Sequence, residues 1–532
     1  MACDLTFLFR GATVYDGAGT PPVVADAGVA GDRIALVGDA EGACAYEVLD
    51  CAGLALAPGF IDLHGHSDHL LLAAPHAESK VLQGVTTEVG GNCGDSPGPM
   101  VETVRAEAQA ALAEFDMKVA WETLGEFLDL LEQRGIGLNF ACLAGHGNLR
   151  AAAMGYRRRP ASPAEIRTMQ ELVTAAMRQG ACGLSSGLIY PPGIAADAAE
   201  LAAVCRPVAE MGGFYATHVR SEGARLLEAV EEALEVGRRA GCAVQLSHHK
   251  VCGEANWGLV ERSLERLDAA CADGMEVTAD QYPYTATATA LYVLLPEWAQ
   301  EGGAEPTANR LQDEQVRRRA AAELKGRPRQ DWERIRVSQV MSEECRWAEG
   351  LTMAEVARRL KLSAAEAVIE LLVRERGHVA MVRFAMSEQD VERVLRHPAV
   401  MVGSDAAARA TSGPLARGKP HPRAFGTFPR VLGHYVRERK TIGLSEAIRK
   451  LTSLPARRLG LEDRGIIRRG AYADLVLFDP DRIADRATYD DPIQPPAGIR
   501  GVWVNGRAVA RDGELTGALP GRVLRGPGFV RG

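Results

Sequence analysis

Two histidines, His64 and His66, close the run Pro58-Gly59-Phe60-Ile61-Asp62-Leu63-His64-Gly65-His66-Ser67-Asp68. An apolar run of this kind reads as a strand, and strand residues two apart point to the same face. The two imidazoles then converge at the strand's exit, where they suit a divalent metal ion. A polar turn with two unrelated histidines is the structural alternative. His218 and His248 end two further apolar runs, 213–218 and 243–248, and Asp405 follows Val402-Gly403-Ser404. Four neutral imidazoles and a carboxylate suit zinc or a similar borderline metal. Asp405 is the natural general base, since a metal-activated water needs a carboxylate to take its proton. Its alternative is a helix N-cap, because three alanines follow it. Cys93, in Gly90-Gly91-Asn92-Cys93-Gly94, either supplies a thiolate ligand or is a small residue in a tight turn.

Positioning such a set requires strands that all end on one face. Apolar runs at 56–62, 85–90, 138–144, 183–189, 213–218, 243–248, 276–281 and 400–404 read as eight strands. Helical patterns at 101–134, 163–179, 197–211, 222–240, 256–273 and 387–396 fall between most of them. This alternation predicts an α/β fold, a (β/α)₈ TIM-like barrel, whose catalytic residues sit at the C-terminal ends of its strands. Six of the 12 histidines (His64, His66, His146, His218, His248 and His249) fall at those eight exits, together with Cys93, Tyr190, Lys250, Tyr282 and Asp405.

The flanks have a different texture. Short strands at 5–9, 12–15, 23–29, 33–37 and 47–50 are matched near the C-terminus by 474–478, 501–504 and the hairpin signal Val504-Asn505-Gly506-Arg507. Residues 1–57 and 465–532 are therefore expected to build one small β-domain, with the barrel spanning 58–464. About 120 residues separate the last two barrel strands, far more than one helix needs. The charged stretch 284–346 within them reads as an insertion over the barrel mouth, either a lid or a surface elaboration.

A length of 532 residues allows a large barrel and a second domain, and 47% hydrophobic with 24% charged residues is ordinary for a soluble globular protein. The net charge of −8 argues against nucleic acid or an anionic membrane as the main partner. No stretch is apolar and long enough to span a bilayer, and the N-terminus lacks the pattern of a secretory signal. The 11 cysteines are scattered, with no C-x-x-C pair. A reduced, cytoplasmic protein is the expectation.

The motifs taken in order resemble those of the D-aminoacylase (N-acyl-D-amino-acid deacylase) family of the amidohydrolase superfamily. The resemblance rests on Pro58–Asp68, on Gly84-Val85-Thr86-Thr87-Glu88 with Gly91-Asn92-Cys93-Gly94, and on Gly183-Leu184-Ser185-Ser186-Gly187-Leu188 with Tyr190-Pro191. It continues through Thr217-His218-Val219-Arg220, Ser247-His248-His249-Lys250, Tyr282-Pro283-Tyr284, Gly403-Ser404-Asp405 and His421-Pro422-Arg423 with Gly426-Thr427-Phe428-Pro429-Arg430. It implies a zinc hydrolase that deacylates N-acyl-D-amino acids to a D-amino acid and a carboxylate. Cys93, His218 and His248 would hold a tight zinc ion, and His64 and His66 a weaker second one. Arg423 would clamp the substrate carboxylate, with Lys250, Tyr282 and Tyr190 beside it. The partner implied is a small N-acyl-D-amino acid, and the insertion would cover the site. Arg409, Arg417 and Lys419, in the loop after Asp405, either favour an acidic substrate side chain or face water. Two other readings are a different C–N hydrolase, such as a D-residue dipeptidase or a cyclic-amide hydrolase, and a barrel without catalysis kept as a scaffold. A lysine missing from Leu184-Ser185-Ser186 speaks against the lysine-bridged cyclic amidases.

Overall fold

A computed structural model describes residues 3–531. Eight parallel strands form its centre: β1 (Phe60–Asp62), β2 (Val85–Gly90), β3 (Asn139–Cys142), β4 (Gly183–Gly187), β5 (Phe214–His218), β6 (Ala243–Leu246), β7 (Val277–Gln281) and β8 (Val400–Val402). β1, β2 and β3 pair in that order, and β4 to β8 pair in that order. The short continuation Ala144–Gly145 carries β3 onto β4 through Leu184 and Ser185. The ring closes between β8 and β1 just past their ends, where Gly65 bridges Ala406 in parallel. These strands are buried at every position except Ala243 and Thr278, which are half-buried, as expected of parallel strands covered on both faces.

The helices that cover the barrel start where their caps dictate. Ser162 opens Pro163–Gln179 with a capping box to Glu165 and a proline in the first turn. The single helix expected over 101–134 is two, Glu102–Ala113 and Leu124–Arg134. Asp116 adopts a left-handed φ of 54°, and Thr123 starts the second helix with its own capping box to Glu126. Two strong local signals thus override a continuous apolar pattern.

Both termini contribute to one nine-stranded sheet. Leu5–Val14 is one bulged strand rather than two, and Leu475–Phe478 joins it to the C-terminal hairpins through Ala55–Pro58. The run read as one strand over 56–62 is therefore shared: Ala55–Pro58 pairs in this sheet and Phe60–Asp62 starts the barrel. Gly59 makes the step between them, and a Cβ there would lie 2.2 Å from the Thr86 side chain.

Between β7 and β8 the chain builds a separate three-stranded antiparallel sheet from Ala286–Ala290, Ile335–Gln339 and Ala380–Phe384. Helices including Glu314–Leu324 and Ala364–Arg374 close an apolar core over it. The inserted unit thus runs to Phe384, past the 284–346 stretch that its charge had marked. Cys3 and Cys44, read as reduced, are joined in a disulfide, and the other nine cysteines are free. Among the described residues no helix is long and apolar enough to cross a membrane.

Candidate active site

The seam that closes the barrel also aims its reactive groups. Asp405 N donates to His64 O at 2.7 Å and His66 N to Ala406 O at 3.1 Å, so β1 and β8 fix one another's exits. Beneath the seam, Lys80 Nζ donates to Asp62 Oδ2 (2.7 Å), Ser404 Oγ (2.8 Å) and Ala406 O (2.7 Å), with Glu88 Oε1 at 3.3 Å. Lys80, Asp62 and Glu88 are all fully buried. Burial pulls the Lys80 ammonium down, but Asp62 and Glu88 outweigh it and hold its pKa above the ordinary value. Glu88 presses so close that a Cβ on Gly65 would lie 2.0 Å from Oε1. Glycine between the two histidines is therefore a packing requirement.

Above the seam, Cys93 Sγ stands 3.4 Å from His64 Nε2, 3.6 Å from His248 Nε2 and 3.8 Å from His218 Nδ1. His248 Nε2 and His218 Nδ1 are 2.9 Å apart. Asp405 Oδ1 lies 3.1 Å from His66 Nε2 and 3.6 Å from His64 Nε2. Three of these residues adopt left-handed φ: Cys93 (55°), His248 (38°) and Asp405 (51°). Such backbone is unfavourable by about 1 kcal/mol or more per residue, and it persists where neighbours fix it. Here His248 N donates to Asp280 Oδ1 at 2.8 Å, and Asp405 N is tied to His64 O.

The donor set fits zinc. A sulfur and a nitrogen bound tetrahedrally to one zinc ion, at roughly 2.3 and 2.05 Å, lie about 3.6 Å apart. The three sulfur–nitrogen separations bracket that figure. The His64, Cys93, His248 and Asp405 donor atoms all lie within 4.8 Å of one another, and so do those of His218, Glu222 and His248. Burial opposes ionisation of Cys93, but His64 and the hydrogen bonds from His218 and His248 outweigh it and hold the thiol well below its ordinary range. Burial, then the neighbouring His248, pushes the His218 pKa down and favours the neutral ring that a metal ion requires. For Asp405, burial is again outweighed, by Arg423, His248 and the His66 hydrogen bond, and the carboxyl sits well below the usual carboxylate range.

A cavity of about 370 Å³ opens over this cluster. Arg423, at the start of the helix Arg423–Arg430, donates through Nη1 to Asp405 Oδ2 at 2.8 Å and lies 4.6 Å from the Tyr282 ring centre. Lys250 Nζ bonds to the Glu222 carboxylate, to His248 Nδ1 and to His248 O, both at 2.7 Å. Tyr190 packs edge-on against His218 and shares a 3.0 Å hydroxyl contact with Thr289. Thr287, Ala288, Thr289, Tyr292 and Gly303 of the inserted unit complete the wall.

Of the ten residues given a metal, base or substrate role in the sequence, His66, Cys93, Tyr190, His218, His248, Lys250, Tyr282, Asp405 and Arg423 border one space and His64 lies buried beneath it against Cys93, but their partners were not all legible. Glu222 and Asp280 were missed. Glu222 Oε1 lies 3.1 Å from His248 Nδ1, and Asp280 Oδ1 lies 3.1 Å from His64 Nδ1. A carboxylate four residues past His218 and another at the end of β7 were the available signals. Two exit histidines stand outside the cluster: His146 Nε2 meets Glu200 at 3.0 Å, and His249 Nε2 meets Ser263 Oγ at 2.8 Å. The loop cations also point elsewhere. Arg409 donates to Gln339, Arg417 stands 3.4 Å from Glu114, and Lys419 donates to Asp490 O. Asp405 caps no helix, because its carboxylate is engaged by His66 and Arg423.

The chain matches the model of the Amidohydrolase family over residues 47–510. It is 38% identical to a D-aminoacylase of Alcaligenes xylosoxydans xylosoxydans, over 97% of both chains. An N-acyl-D-glutamate deacylase of the same organism is also 38% identical, over 99% of this chain and 98% of that one. The crystal structure of an N-acyl-D-glutamate deacylase from Bordetella bronchiseptica, complexed with zinc and a phosphonate that mimics the tetrahedral intermediate, superposes with a TM-score of 0.82. It is 36% identical and covers 98% of this chain and all of its own.

Proposed function

The chain belongs to the amidohydrolase family, and from that premise we propose that it is a zinc-dependent hydrolase releasing a D-amino acid and a carboxylate from N-acyl-D-amino acids. The observation that carries the proposal is one thiolate-forming cysteine ringed by three imidazoles, with Asp405 on the same rim. Cys93, His218 and His248 would hold the tight zinc ion, and His64 and His66 a second, weaker one. Zinc supplies Lewis acidity there, polarising an amide carbonyl and making a water molecule easier to deprotonate.

The chain's own residues do the rest. Asp405 is held ionised by Arg423 and is ready to accept the proton of the attacking water. It then hands that proton to the departing nitrogen, which leaves as the amine of the D-amino acid. Arg423 gives one edge of its guanidinium to Asp405 and keeps further N–H donors for the substrate carboxylate. Tyr282 lies beneath that guanidinium, and Tyr190 adds a hydroxyl at the same wall. Lys250 adds positive charge, although its contacts with Glu222 and His248 also steady the His248 ring. In this reading the barrel, 58–464, does the chemistry, the flanking segments 1–57 and 465–532 brace it, and the inserted unit serves as its lid.

Incubation of the zinc-loaded protein with N-acetyl-D- and N-acetyl-L-amino acids tests the proposal. D-substrates are expected to be cleaved at least about 100-fold faster, the scale that a shaped, polar site imposes. Equal rates on the two enantiomers contradict it.

A further inference from the structure

Identity does not say which D-amino acids this chain takes, because a D-aminoacylase and an N-acyl-D-glutamate deacylase match it equally, at 38%. The cavity does. An acidic substrate carries two carboxylates, one on the α-carbon and one on the side chain, and each needs a donor once buried. Among the described residues, Arg423 and Lys250 are the only arginine and lysine lining the cavity. Arg423 already faces Asp405, and Lys250 already faces Glu222. The α-carboxylate takes what donor capacity they keep.

The remaining wall offers a second anion no further lysine or arginine, only neutral donors such as Thr287 and Thr289. Ile189, Pro191, Pro192, Tyr156, Tyr292 and Gly303 contribute most of its apolar surface, and its nearby charged groups, Asp95 and Glu222, are acidic. Arg409, Arg417 and Lys419 are turned to other partners and do not border it. Arg220, Arg225, Arg327 and Arg383 line a different groove, which shares Ile189, Glu222, Thr287 and Thr289 with the cavity as a common wall.

Resting on the deacylase reading, we infer that the side-chain pocket of this chain selects uncharged, predominantly apolar D-residues and rejects D-glutamate and D-aspartate derivatives. Charge and size are separable, because glutamine and glutamate have nearly the same shape. The test is kcat/KM of the zinc-loaded enzyme for N-acetyl-D-leucine, N-acetyl-D-glutamine and N-acetyl-D-glutamate. D-leucine is expected to be best, and D-glutamine to exceed D-glutamate by at least about 100-fold, as an unpaired buried carboxylate imposes. D-glutamate hydrolysed as fast as D-glutamine, or faster, overturns the inference and leaves the deacylase reading intact. Failure on all three D-substrates sinks that reading, and the inference falls with it.

Discussion

Arg423 and Asp405 form an ion pair at the lip of the barrel, with Nη1 donating to Oδ2 at 2.8 Å; their side chains are 7% and 12% exposed. The pair links the proposed substrate clamp to the proposed base. Water is largely excluded, so the pair is poorly screened, and it holds the carboxylate ionised against its own burial. Asp405→Asn keeps the shape and removes the proton acceptor. We expect kcat to fall by about 10²–10⁴-fold with zinc content unchanged. Comparable turnover by the variant, measured on N-acetyl-D-leucine, would take Asp405 out of the mechanism.

Arg423→Ala should act in two ways. The substrate carboxylate loses a guanidinium partner, so KM should rise by roughly 10–100-fold, corresponding to about 1.5–3 kcal/mol for a charge-assisted hydrogen bond. Arg423 also favours the ionised form of Asp405, so its removal raises the pKa of that carboxyl. As pH falls, the variant should lose activity earlier, and the acidic limb of its kcat/KM profile should move to higher pH. A limb that stays put, or moves down, would show that the two groups are not coupled.

Glu222 reaches the centre through its neighbours, lying beside His248 Nδ1 and the Lys250 ammonium. Burial would raise its pKa, yet Lys250, His218 and His248 hold it well below the ordinary range, so it acts as a fixed negative charge. Glu222→Gln should weaken zinc binding by about 10–100-fold, as loss of an outer partner of a metal-bound histidine does. Competition with a chromophoric chelator measures this directly. Wild-type affinity in the variant would assign Glu222 to packing alone.

Lys80, Asp62 and Glu88 form a fully buried charge cluster under the seam between β1 and β8. Lys80→Met leaves two carboxylates without their counter-ion, and stability should fall by about 3–5 kcal/mol. The urea midpoint reads the change. An unchanged midpoint would mean that the cluster does not brace β1 against β8.

Much of this was legible because a barrel writes its chemistry at its strand ends. His64, Cys93, His218, His248 and Asp405 each follow an apolar run, and parallel pairing brings such exits to one rim. What escaped was set by contacts distant in sequence. Lys80 lies in a four-residue helix, Glu78–Val81, and meets Ser404, 324 positions away. No local pattern announces that. Arg409, Arg417 and Lys419 looked like a cationic pocket because they follow Asp405 closely, yet each is turned to a partner elsewhere. The inserted unit runs past Arg346 because Ala380–Phe384 supplies its central strand, and pairings as distant in sequence as Val337 with Met381 and Ala288 with Val382 leave no trace in local composition.

The central claim is that a cysteine thiolate and converging imidazoles hold a zinc ion at the barrel mouth. Zinc K-edge X-ray absorption on the zinc-loaded protein tests it most directly. The account predicts a sulfur neighbour at about 2.3 Å alongside nitrogen or oxygen neighbours at about 2.0 Å, with the sulfur signal lost in Cys93→Ser. A zinc spectrum without sulfur, or one unchanged by Cys93→Ser, would contradict it.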